Sequence, residues 1–319
     1  MNVLTPIQAT DAGETLVRVE DLWFPDHGLV VQAENKIFRV FGGILAARSS
    51  VFKDMLSIPQ PDNQPLIEGC PTVLLHDSGE DVQYFLKAIF DSSFFEPPPT
   101  KTTFPIISGV LRLSSKYDVP YLRRRALHHF SSGFPSSLSG LDLLSTTRTF
   151  ESPDPFTALM LADSLNLTWA LPLAMYDAST VHLDDILDGA TFGDIRVQLT
   201  LPLQRACVRG RAALTTSQNH EILRFLRLTP TEGCRKQAVC QSRRLDVLEG
   251  IAQLTVVMPL TLVEVLWDTV RKLVCTACFK KMETTYRAAR EKVWDDLPKI
   301  FCGFSTWEQL KAVKIADLE

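Results

Sequence analysis

Residues 37–56 read IFRVFGGILAARSSVFKDML, and within them the apolar rhythm changes from that of a strand to that of a helix. Phe38 and Val40 alternate with Ile37 and Arg39, as in a half-buried strand, until Gly42 and Gly43 break the extended run. Beyond the glycines, Ile44, Leu45, Val51, Phe52, Met55 and Leu56 recur at helical spacing, and Ser49 is placed to cap a second short helix. The stretch therefore predicts a strand feeding a tight pair of helices, which is a packing unit and not a catalytic loop.

The flanks extend this pattern. Upstream, residues 22–24 lead to a turn at Pro25-Asp26-His27-Gly28, and residues 29–33 make an apolar strand for which residues 37–40 are the hairpin partner. Downstream, the proline-rich residues 59–71 predict a loop before a third strand over 72–76. Ser78, with Asp81 three residues on, resembles a capping box, and Val82, Phe85, Leu86, Ile89 and Phe90 line one helical face behind it. After Pro97-Pro98-Pro99, Val110, Leu111, Ser114 and Tyr117 form the next stripe. Asp118-Val119-Pro120 then opens a helix carrying Leu122, Ala126, Leu127 and Phe130. Arg123, Arg124 and Arg125 are consecutive and cannot share a face, which predicts a solvated surface and not a nucleic-acid patch.

Four features in order resemble the BTB/POZ domain over about residues 22–130: the hairpin, the helix pair of Leu45-Ala46-Ala47-Arg48-Ser49 and Phe52, the strand Val73-Leu74-Leu75 with its capped helix, and Lys116-Tyr117-Asp118-Val119-Pro120-Tyr121-Leu122. The wording of residues 31–34 (VQAE) and 91–98 (DSSFFEPP) is similar to that of the BTB proteins abundant in mushroom-forming fungi. The resemblance implies a central helical hairpin near a dimer interface, with Leu45, Phe52 and Met55 as interaction residues. It also implies protein partners, through homodimerisation or docking onto a cullin-type ubiquitin-ligase scaffold. One departure stands at the strand-to-helix corner, where BTB domains commonly carry His then Arg and this chain has Phe41 and Gly42. The guanidinium on which some BTB dimers build a charged partner pocket is therefore missing.

The 319 residues suffice for two domains, and 45% apolar with 22% charged is ordinary for a globular chain. A formal charge of −4 favours neither nucleic acid nor an anionic membrane surface. No basic-then-apolar leader opens the chain, and its seven cysteines fit a reducing compartment, cytoplasmic or nuclear. The expected organisation is α+β: a flexible tail over 1–18, a BTB/POZ domain over 19–135 with a short sheet and helical hairpins, a linker over 136–152, and an α-helical domain over 153–319. In that last domain Tyr286, Ala289, Val293, Trp294 and Leu297 predict a helix with Arg287, Arg290, Glu291 and Lys292 outward, stopped by Pro298.

No nucleotide-binding, nucleophile-elbow or metalloprotease motif is present, so the chain reads as a non-enzymatic adaptor. The competing reading is a BTB-containing transcriptional or chromatin regulator, for which no DNA-reading motif is evident. Cysteine alone carries metal chemistry: Cys275 and Cys278 form a CxxC, and Cys234 and Cys240 a second, wider pair, so four thiolates are available for one structural zinc. Buried unpaired thiols, or a thioredoxin-like redox pair, are the alternatives. Cys70, Cys207 and Cys302 have no spacing partner.

Overall fold

The switch at Gly42 is realised in the computed structural model, which describes residues 5–9, 15–26, 28–58, 66–229, 231–304 and 306–319. Two compact units emerge: residues 1–133 with 144–152 and 317–319, and residues 134–143 with 153–316.

The first unit carries the strands β1 (Thr5–Ala9), β2 (Thr15–Trp23), β3 (Leu29–Ala33), β4 (Lys36–Val40), β5 (Leu66–Ile67) and β6 (Cys70–Leu75), in the sheet order β1-β2-β4-β3-β6-β5. β3 and β4 are the expected hairpin, pairing Leu29 with Val40 and Val31 with Phe38, while β6 runs parallel to β3. Within the expected tail over 1–18, residues 5–9 and 15–18 are strand instead, since β1 pairs with β2 and β2 lies parallel to β4, while residues 1–4 and 10–14 lie outside the described residues. The signal was Thr15-Leu16-Val17-Arg18-Val19, rich in β-branched residues. Leu16, Val19, Leu22 and Trp23 are buried on that strand.

The helix pair follows as α1 (Gly42–Arg48) and α2 (Ser50–Ser57). Ser49 caps α2 as expected, its Oγ accepting from the Phe52 amide at 3.0 Å, and the same hydroxyl donates to the carbonyl of Tyr117. Phe52 stacks on Tyr117 with centroids 4.7 Å apart. Two stretches far apart in sequence thus meet in one knot. α3 (Gly79–Phe90), α4 (Phe104–Lys116) and α5 (Pro120–Ser131) complete the core. Ser78 caps α3 through the Glu80 amide, but Asp81 does not close a capping box. It instead takes a forked bond from Arg112 of α4 at 2.9 and 3.1 Å. His129 of α5 is fully buried, between the Thr149 hydroxyl at 2.9 Å and the Glu96 carbonyl at 2.8 Å.

The expected linker holds two short helices, α6 (Leu138–Asp142) and α7 (Leu144–Thr147), and is divided between the units. The second unit continues with α8 (Pro155–Ser164), α9 (Leu171–Thr180), α10 (Leu183–Asp188), a two-stranded ribbon of β7 (Ala190–Phe192) and β8 (Ile195–Val197), and α11 (Leu201–His220). A 3₁₀ turn over Ile222–Arg227 leads to α12 (Gln237–Ala252), and a second over Glu264–Leu266 leads to α13 (Trp267–Leu273), α14 (Thr276–Cys302) and α15 (Trp307–Leu318). An aromatic core joins Phe225, Trp267, Phe279 and Tyr286.

Two expectations for α14 are corrected. Arg290 does not face solvent: it is buried, its Nε donating to the Leu260 carbonyl at 2.7 Å and its Nη atoms gripping Asp142. Pro298 does not stop the helix, which runs on to Cys302. Proline lacks the N–H that would satisfy the carbonyl of Trp294, four residues back. That carbonyl accepts instead from the Trp307 indole N–H at 2.8 Å, with the two indoles stacked 4.6 Å apart.

Candidate metal centre

Two helix starts meet at four sulfurs. Gly233, at φ +86°, turns the chain into Cys234, which lies just ahead of α12; Cys240 sits in the first turn of that helix. Cys275 is the N-cap of α14 and Cys278 lies in its first turn, so the CxxC spacing places both sulfurs at one helix end. Positive helix ends of this kind favour thiolates.

The four Sγ atoms all lie within 4.8 Å of one another, and those of Cys234 and Cys275 are 3.6 Å apart. Four sulfurs at Zn–S bonds of about 2.3 Å stand about 3.8 Å apart on the edges of a tetrahedron, so the cluster needs only small shifts to close on one ion. A disulfide needs about 2.05 Å, and all the cysteines are free thiols. Cys234, Cys240 and Cys278 are buried, and Cys275 is partly exposed. The Cys275 amide donates to the Cys240 sulfur at 3.4 Å. Proton affinities diverge across the cluster. Cys275 is lowered to about 7, first by the Cys278 amide. On Cys234 the Lys236 amide pulls down, but desolvation and the neighbouring thiols push it above the ordinary thiol range. All four residues assigned from the sequence are therefore brought together.

An open hollow of about 600 Å³ borders the cluster, its rim carrying Arg235, Lys236 and Lys272. On the inner face of α12, Arg244 is 1% exposed and its Nε donates to the Cys240 carbonyl at 3.2 Å. Sequence reading missed it, because a cation in a polar stretch gives no periodic signal of burial; its only mark is the four-residue spacing from Cys240. Cys207 and Cys302 lie apart from the cluster, their thiols raised to about 11 and about 12 by burial, which makes them inert.

The residues assigned to an interaction surface fall differently. Leu45 and Phe52 are fully buried, Phe52 against Tyr117 at the C-terminal end of α4, while Met55 is half-buried. The exposed large apolar side chains on the helix pair and its caps are Phe41, Ile44, Val51 and Ile58. No helix among the described residues is long and apolar enough to cross a membrane.

No family model, curated protein or solved structure matches the chain.

Proposed function

We propose that the chain is a non-enzymatic protein-interaction adaptor: a BTB/POZ-type unit that self-associates or docks on a cullin-type scaffold, with a helical unit braced by one structural zinc. The adaptor reading rests on the knot of Ser49, Phe52 and Tyr117, since the two stretches that carry the BTB resemblance are the ones that interlock. Exposed Phe41, Ile44 and Val51 supply apolar surface beside that knot. Affinity purification from the native organism tests it. Stoichiometric cullin supports the scaffold role and chromatin proteins favour the transcriptional alternative. A monomer by light scattering at micromolar concentration that recovers no partner refutes the adaptor.

The zinc part rests on four converging sulfurs, supplied by two segments separated by 34 residues of polar and mixed sequence. A bound ion would close those segments on each other, contributing folding energy directly. Elemental analysis is expected to find about one zinc per chain, and Cys275→Ser to release it while the first unit stays folded. Metal-free wild-type protein with an unchanged melting profile after zinc addition refutes it.

A further inference from the structure

Arg244 is the least explicable charge in the molecule. α12 buries Cys240, Arg244 and Ile251 along one stripe, so a guanidinium stands where the helix would ordinarily place an apolar side chain. Both of its Nη atoms are buried and have no hydrogen-bond partner among the described residues, and its Nε bonds a backbone carbonyl. A buried cation without a counter-ion is strongly destabilising, so an anion should stand within reach.

The carbonyl it holds belongs to Cys240. A residue four positions along a helix leans back over the preceding turn, and a bond to that carbonyl keeps the guanidinium within about 8 Å of the Cys240 sulfur. Four thiolates around one divalent ion leave a dianion, and Cys234, Cys240 and Cys278, three of its four ligands, are buried. Arg235, Lys236 and Lys272, on the rim of the open hollow, are exposed, so water already solvates them. We infer that Arg244 is the internal counter-charge of the metal centre, a positioning residue that makes a tetrathiolate dianion the stable occupant of this site. This rests on the zinc reading above. It adds that the metal-free state carries an uncompensated buried charge, so the second unit is less stable without metal than with it.

The test measures zinc affinity on the full chain by competition with a chromogenic chelator, together with melting midpoints of the zinc-loaded and metal-free forms. Arg244→Met keeps the volume and removes the charge. It is expected to weaken zinc binding ten- to a hundredfold, while the melting midpoint of the metal-free form holds or rises. Arg244→Lys keeps the charge and should stay within about threefold of wild type. A side chain that merely fills space would lower both midpoints together, and that result overturns the inference. Equal loss in the Met and Lys variants overturns it too, as does wild-type affinity in Arg244→Met. If Arg244→Met fails to fold, Arg244→Gln carries the same expectations for affinity and midpoint. Failure of the zinc reading is separate, because wild-type protein would then bind no zinc before any variant is made.

Discussion

Leu45 and Ile44 are adjacent on α1, yet one is fully buried and the other 42% exposed, so the same substitution at each separates folding from association. Leu45→Asp forfeits about 1.5–3 kcal/mol of apolar burial and adds a desolvated carboxylate costing several kcal/mol more. The sum is comparable with the whole stability of a domain, about 5–15 kcal/mol, so the first unit should unfold at or near room temperature. Ile44→Asp places a carboxylate in the first turn of a helix that has no acidic residue there, which is neutral or favourable by about 0.3–1 kcal/mol. Circular dichroism melts of the full chain should lose one transition in Leu45→Asp and keep both in Ile44→Asp. Light scattering should then show whether Ile44→Asp shifts an associated wild type to monomer. A Leu45→Asp protein that melts like wild type, or an Ile44→Asp protein that unfolds with it, would refute the assigned orientation of α1.

A Cβ built on Gly210 would lie 2.0 Å from the Phe301 ring, so Gly210→Ala should cost about 1–3 kcal/mol through overpacking in denaturant titration. Gly250, in the last turn of α12 with nothing within 4 Å, is the control, and Gly250→Ala should stabilise by up to about 0.5–1 kcal/mol. Burial first of all holds His129 below its ordinary value of 6.5. The unfolded chain therefore takes up a proton at a pH where the folded one does not, and stability is lost as pH falls from 6.5 towards the folded value. His129→Gln should flatten that part of the melting profile, although it is less stable at neutral pH; an unchanged slope would show that His129 does not drive it.

Local signals in the sequence were read correctly where the cause is local. The glycine break at Gly42, the cap at Ser49 and Pro120 at the start of α5 each act within a turn of the chain, and the structure has all three. The cysteine cluster was also legible, because ligand chemistry marks those positions without help from periodicity. The misses involve partners remote in sequence. Arg290 is buried because Asp142, 148 residues away, meets it. Apolar periodicity reports which face is buried only when that face is apolar, so cations and imidazoles on inner faces are invisible to it.

Pro298 is where a rule of thumb inverts most usefully. Its missing donor leaves one main-chain oxygen in α14 uncommitted, and the indole of Trp307 reads that oxygen as an address. Replacing the proline with alanine would improve the helix in isolation, yet it would supply a competitor for that oxygen and so weaken the grip of α14 on α15. A defect in one helix thus encodes the docking position of the next, and the sequence writes that instruction with a proline and a tryptophan nine residues apart.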